Sequence, residues 1–249
     1  MNFGLNNKFT LLSEEEIFGS QEIDIISKMG GRCAISDFAI LLGAYVSNDY
    51  FIEDDSSLKG RTTCWWTRSS NVNGDVRDVT SVGRCSWDKA GKRCGAVRPV
   101  LPFSSISDIS PNGVRGRSGF LEVEYGEYPQ YAVDTRLART LDSEYSAGRL
   151  KKTGKTYTTD SRVWNAYSES FKAREHHEYE YNGKKYVKVK YVDTESCKLS
   201  NGESYQIGNE VWVEVAPIKW LVDEKSRLML SKTCLASGIR FCNNGQYQY

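Results

Sequence analysis

The sequence predicts an α+β protein in which short helices and antiparallel strands mix in the first part and strands dominate the second. Three observations carry that prediction. Helix-start signals cluster before Gly43, strand-forming composition sets in at Thr63, and an Asn-Gly pair at 182–183 sits between two alternating arms. The 249 residues carry 33 Lys+Arg against 32 Asp+Glu, a near-neutral balance that argues against a strongly basic nucleic-acid binder. An apolar share of 39% is enough for a packed core. The longest apolar run, Phe38 to Val46, falls far short of the roughly 20 residues a bilayer span needs, so no membrane insertion is expected. Residues Met1 to Lys8 show no basic stretch leading into an apolar core, so no signal peptide is expected.

The elements follow in order. Ser13-Glu14-Glu15-Glu16 has capping-box spacing and starts a helix that runs on through Ile23, Ile25 and Ile26 to a stop at Gly30-Gly31. Ser36-Asp37 caps a second helix over Phe38 to Leu42, ended by Gly43. Neither is long enough to be stable without packing. Cys64 to Ser69 reads as a strand, Val72, Val76, Val79 and Val82 recur as anchors to a core, and Val97 to Phe103 is extended by its prolines. Residues 105–118, rich in Ser, Gly and Asn, read as a linker between a first half, 1–104, and a β-rich second half, 119–249. There Leu121 to Tyr125 alternates and ends at Gly126-Glu127-Tyr128-Pro129. Asp134 caps an inserted helix with Leu137, Leu141 and Tyr145 on one face and Gly148 as its stop. Glu178 to Val189 is a hairpin turned by Asn182-Gly183, with acidic residues facing lysines. Val211 to Val215 and Ile218 to Val222 are two strands parted by Pro217, and Leu228 to Ser231 is another.

No catalytic residues, metal ligands or cofactor are expected. The seven cysteines include no CxxC pair, so free thiols are the default. Gly154-Lys155-Thr156 lacks the spacing of a phosphate loop. His176 and His177 are the only histidines, and as neighbours in a strand they point to opposite faces of a solvated edge, which excludes both a shared ion and a triad. Ser69 to Gly95 stands apart: 19 of its 27 residues are Ser, Asn, Asp, Gly, Arg, Cys or Thr, which leaves little to bury. Structureless loops of that length are uncommon unless they serve recognition, although a plain variable loop is the rival reading. As a ligand-binding surface it offers guanidinium forks at Arg77, Arg84 and Arg93 and contact area at Trp87. Adaptable hydrogen bonds come from Asn71, Asn73, Asp75, Asp78, Ser81, Ser86 and Asp88. Trp65-Trp66 and Val97 to Phe103 would anchor the two ends.

Phe9 to Gly19, Cys33 to Ala39, Trp65-Trp66-Thr67-Arg68-Ser69, Val97-Arg98-Pro99-Val100-Leu101-Pro102, Tyr125-Gly126-Glu127-Tyr128-Pro129-Gln130 and Pro217 to Asp223 together cover much of the chain. This ordered set resembles a large family from phages and gut Firmicutes whose fold looks C-type-lectin-like. Several members resemble the variable proteins of diversity-generating retroelements, in which adenine-directed recopying randomises surface codons. The resemblance places the variable region at Ser69 to Gly95, and randomised adenines in Asn codons would yield its Ser, Asp, Gly, Arg, Cys and Thr; Trp87, Lys89 and Lys92 depart from that pattern. None of the triplets by which calcium-dependent lectins hold sugar is present, so a calcium-bridged sugar site is not implied. In many relatives the Tyr-Pro-Gln and Pro-Ile-Lys-Trp strands precede the Trp-Trp and Arg-Pro segments, whereas here they follow. A rearranged single domain and two half-domains both remain open. The resemblance implies a non-enzymatic ligand-binding protein of phage or prophage origin, made in the host cytoplasm and associated with the virion, whose partner is a bacterial surface protein or glycan. The alternatives are a virion structural or decoration protein that assembles into particles or homo-oligomers, and an inhibitor of host defence.

Overall fold

The computed structural model describes residues 9–48, 50–52, 58–89, 95–103, 114–115, 119–164, 169–192 and 196–237. In chain order the first half holds α1 (Glu14–Phe18), α2 (Asp24–Met29), β1 (Ala34–Ile35), α3 (Asp37–Leu41), β2 (Trp65–Ser70), β3 (Asp75–Val79), β4 (Cys85–Lys89) and β5 (Val100–Pro102). After β6 (Val114–Arg115) come β7 (Leu121–Ala132), α4 (Thr135–Ser146), β8 (Lys151–Trp164), β9 (Glu169–Tyr181) and β10 (Lys184–Lys190). The chain continues through β11 (Cys197–Lys198), β12 (Ser204–Tyr205), β13 (Glu210–Asp223), β14 (Leu228–Ser231) and β15 (Thr233–Cys234). The fold is mixed and strand-rich, as an α+β assignment requires.

An eight-stranded sheet runs β5-β14-β13-β10-β9-β8, with β7 on the other edge of β13 and β6 on β7. Its axis is β13, which remains one strand although the sequence splits it at Pro217. The ladder with β7 slips between Glu214 and Val215 and again between Pro217 and Lys219, so the proline sits at a bulge where its missing N–H costs little. Gln130, 4% exposed, closes this irregularity by donating Nε2–H bonds to the carbonyls of Ala216 (2.9 Å) and Pro217 (2.8 Å). Trp220 Nε1 donates to the Tyr125 carbonyl at 2.8 Å on the same ladder. The Tyr-Pro-Gln and Pro-Ile-Lys-Trp stretches are thus two sides of one joint. For the same reason β7 runs on past Gly126, where alternation in the sequence ended.

The halves at 1–104 and 119–249 pack into one apolar core that includes Leu12, Phe38, Trp65 and Val100 as well as Val123, Trp220, Leu230 and Leu235. Two ladders and a bridge sew them together: β5 on β14, β1 parallel to β15, and Val97 bridged to Ala236. Of the expected linker only 114–115 are described, and they pair with β7.

Local expectations hold where capping chemistry dictates them. Ser13 accepts from Glu16 N and Glu16 reaches back to Ser13 N, forming the full capping box. Gly19 closes α1 early, so the expected long first helix is two short ones. Ser36 caps α3 through the Ala39 amide (3.2 Å), and the buried Asp37 that follows accepts from Ala132 N (2.7 Å) and Ser200 N (3.0 Å). Asp134 caps α4 through Leu137 N at 2.8 Å, and Leu141 packs into a second small core with Tyr179, Tyr186 and Trp212. Tyr145 shares that helix face but is exposed, meeting Tyr179 and Trp212 edge-on at 5.4 and 5.8 Å. Asn182 and Gly183 both take positive φ (50° and 75°), as a two-residue hairpin turn demands. Lys185 lies across from Glu180, yet its ammonium pairs with Glu127 and that of Lys184 with Glu214.

The solvated edge expected for the two histidines does not form, because β9 has β8 on one side and β10 on the other. They do face opposite ways. His177 meets Thr156, whereas His176 is 5% exposed, edge-on to Phe38 at 5.7 Å and 2.9 Å from Thr159 Oγ1. Burial, with Arg174 and His177 nearby, pushes its pKa down to about 4. Beside it the buried Glu178 accepts from Tyr157 Oη (2.6 Å) and Thr153 Oγ1 (2.8 Å).

Two outcomes are expected. Gln130→Leu leaves two bulge carbonyls bare and costs about 2–4 kcal/mol in denaturant unfolding. His176 is neutral when folded and titrates near 6.5 when unfolded, so its contribution is intact above pH 6.5 and falls away toward pH 4. The wild type should lose about 2 kcal/mol more than His176→Gln between pH 7 and pH 5, read from paired urea melts.

Candidate functional site

The polar segment singled out in the sequence folds as the three-stranded antiparallel sheet β2-β3-β4. Its root is fixed by the paired indoles. Trp65 is fully buried and donates Nε1–H to the Gly31 carbonyl at 2.9 Å, while the Arg98 guanidinium lies over its ring at 5.2 Å. Trp66 N donates to the Ala96 carbonyl (3.0 Å) and Ala96 N to the Cys64 carbonyl (2.9 Å), so the strand leaving the segment clamps the one entering it. Gly95 completes the clamp: a Cβ there would lie 1.6 Å from Trp66 Nε1, so no side chain fits. The other side docks on α1, through Arg68 N to the Leu12 carbonyl (2.9 Å) and Glu14 N to Ser69 Oγ (2.9 Å). Thr67 Oγ1 donates to the Arg77 carbonyl (2.8 Å) where the β2–β3 register breaks.

Within this frame the candidate residues separate into three groups. Asn73, Arg84 and Trp87 are exposed. Asn71, Asp75, Arg77, Ser86 and Asp88 are half-buried, and the polar groups of several are engaged locally. Asn71 Oδ1 accepts from the amides of Asn73 (2.9 Å) and Asp75 (3.0 Å) and its Nδ2 donates to Asp75 Oδ2 (3.1 Å), building the first turn. Asp78 and Ser81 are buried, at 4% and 8% exposure, which corrects the expectation that they face a ligand. The cause is register: Asp78 lies between Trp66 and Ser86 on the covered side of the sheet. Val76 and Val79 are the anchors the spacing predicts, whereas Val72 and Val82 sit in turns and are exposed. Arg93, like Cys94, lies outside the described residues.

Arg77 and Trp87 are cross-strand partners, and the guanidinium stacks over the indole 3.7 Å from its centroid. The same guanidinium pairs with the Glu14 carboxylate, which fixes the stack to α1. Trp87 keeps 39% of its surface open. Next to it Arg68 pairs with Glu16 at 2.8 Å; burial pushes the Glu16 carboxyl up, but bonds from Arg68 and Ser13 outweigh it and hold the pKa below the usual value. Arg68 and Arg77 are thereby neutralised within the frame, while Asn73 in the β2–β3 turn and Arg84 in the β3–β4 turn are exposed.

A second feature escaped the sequence reading. An open cleft of about 650 Å³ lies over the β7–β13 bulge, lined among others by Gln130, Tyr131, Lys59, Lys219 and Lys232. Lys232 is held by both oxygens of Glu122 at 2.9 Å, and Lys59 lies over the Tyr131 ring at 4.8 Å. The two quoted stretches that build the bulge are the signal that could have located it.

Scans against family models, curated proteins and solved structures return no match to this chain. No helix among the described residues is long and apolar enough to cross a membrane, and none of their His, Cys, Asp and Glu side chains form a group of three or more suited to a metal.

The frame and its outward residues should separate in stability. Trp66→Ala is expected to cost about 3–5 kcal/mol, because it empties the clamp. Arg84→Ala should stay within about 0.5 kcal/mol. Chemical denaturation of the two variants reads the difference.

Proposed function

We propose that the protein is a non-enzymatic ligand-binding protein, of phage or prophage origin, that recognises a bacterial surface protein or glycan through β2-β3-β4. The stacked Arg77–Trp87 pair carries this reading. A tryptophan held open by a cation that is itself anchored has little side-chain entropy left to lose, and Trp and Arg dominate the energetics of recognition surfaces. The exposed Asn73 and Arg84, in the turns at the two ends of β3, supply directional bonds on the same small sheet. The C-type-lectin-like character and diversification of the segment are part of the same proposal. They rest on the ordered resemblance and on the Ser, Asn, Asp, Gly, Arg-rich composition, and they apply to the outward positions rather than to Asp78 and Ser81.

A second reading, assembly into a particle or homo-oligomer, draws on one observation. Strand β8, 14 residues long, is an outer strand of the large sheet among the described residues, and long outer strands invite pairing with another chain.

Labelled protein applied to a panel of gut Firmicutes cells should bind a subset saturably. Trp87→Ala and Arg84→Ala should each weaken that binding about tenfold or more, roughly 1.4 kcal/mol, with unfolding of Arg84→Ala unchanged. Binding indifferent to both substitutions, or wild-type protein that binds no cells and scatters light as a large assembly, would favour the second reading.

A further inference from the structure

Behind the recognition sheet, where β1 meets β15, two thiols share one buried site. Cys33 immediately precedes β1 and Cys234 ends β15, and the parallel register pairs Ala34 with Thr233 and Ile35 with Cys234. Both cysteines are fully buried, and, diagonal to one another across the two strands, each thiol bears on the ionisation of the other. Cys33 Sγ also lies 3.3 Å from the Ala34 carbonyl and 3.6 Å from that of Lys232. The third member of the site is Arg98, 4% exposed, whose Nε donates to the Ser231 carbonyl at 3.0 Å. Its Nη1 is buried with no hydrogen-bond partner. A buried guanidinium with a donor to spare, within electrostatic reach of two thiols, is an arrangement that stabilises sulfur as thiolate. The charges sort accordingly. Burial pushes the Cys33 thiol up, but the Cys234 thiol and the Arg98 charge outweigh it and bring it below its ordinary value, whereas burial and Cys33 push Cys234 up.

We infer that Cys33 and Cys234 form a peroxide-driven disulfide that locks β15 to β1. The Cys33 thiolate attacks one oxygen of hydrogen peroxide. The O–O bond breaks, hydroxide leaves, and Cys33 becomes a sulfenic acid. The Cys234 sulfur then attacks the Cys33 sulfur, the S–S bond forms as the S–O bond breaks, and the departing hydroxide carries off the Cys234 proton as water. Overall two thiols and one peroxide give one disulfide and two waters. Arg98 favours the anion at both sulfurs, and the interaction between them favours it at Cys33, so Cys33 takes the attacking role and Cys234 the resolving one. Access for a small oxidant comes through local opening at the two-residue β1–β15 ladder. The lock would join positions about 200 residues apart, behind a frame in which Val97 pairs with Ala236 and Trp65 with Ala96. It is independent of what the recognition sheet binds.

The folded protein is treated with hydrogen peroxide, quenched with an alkylating agent, and digested without reduction for mass spectrometry. A peptide joining Cys33 to Cys234, loss of two of the seven thiols, and a melting temperature raised by roughly 5–10 °C are expected, all reversed by dithiothreitol. Cys33→Ser and Cys234→Ser should each abolish the rise, while Cys64→Ser should retain it; mapping in the wild type stands on its own if a variant fails to fold. A bridge from Cys234 to Cys64, or over-oxidation of Cys33 to the sulfinic acid with no bridge while the protein stays folded, overturns the inference.

Discussion

The β7–β13 ladder is the constraint on which the rest of the fold depends. A proline in the middle of a central strand removes a donor from the ladder, and a register slip leaves two carbonyls without their usual partners. One side chain settles both debts: Gln130 delivers both its amide protons to the vacated acceptors from within the core. With that joint closed, β10 and β14 pair along β13, and β5 joins through β14. The far end of β7 is fixed as well, because the Ala132 amide is held by Asp37 from the first turn of α3. A single bulge therefore sets the positions of strands contributed by both ends of the chain.

What the sequence made legible is what local chemistry decides. Ser13, Ser36 and Asp134 cap their helices because a side-chain oxygen two or three residues before an orphan amide has little alternative. Asn182-Gly183 turns its hairpin because few other pairs accept positive φ twice. The illegible parts depend on partners far away in the chain. Pro217 looks like a terminator until Gln130, 87 residues distant, is known to satisfy its carbonyl. His176 looks solvated until Phe38 is known to cover it. Asp78 and Arg77 were equally polar in composition, and only the strand register tells that one faces Trp66 and Ser86 and the other Trp87.

The recognition reading gains from the way charge is handled around β2-β3-β4. Glu14 and Glu16 on α1 neutralise Arg77 and Arg68, so the frame presents an aromatic plate rather than a field. On the proposed reading such a surface suits partners selected by shape and directional bonding, with Arg84 as its exposed cation.

Gly95 has a consequence for how such a surface can be rewritten. Its bare backbone lies against the Trp66 indole, and the adjoining Ala96 exchanges bonds with both neighbours of Trp65. On the proposed diversification, interchangeable sequence must stop before this glycine, because any side chain there would dislodge the indole and unseat the sheet. On that proposal the indole would act as a selection filter, and a population of successful variants would show an abrupt edge of invariance there instead of a gradual decline.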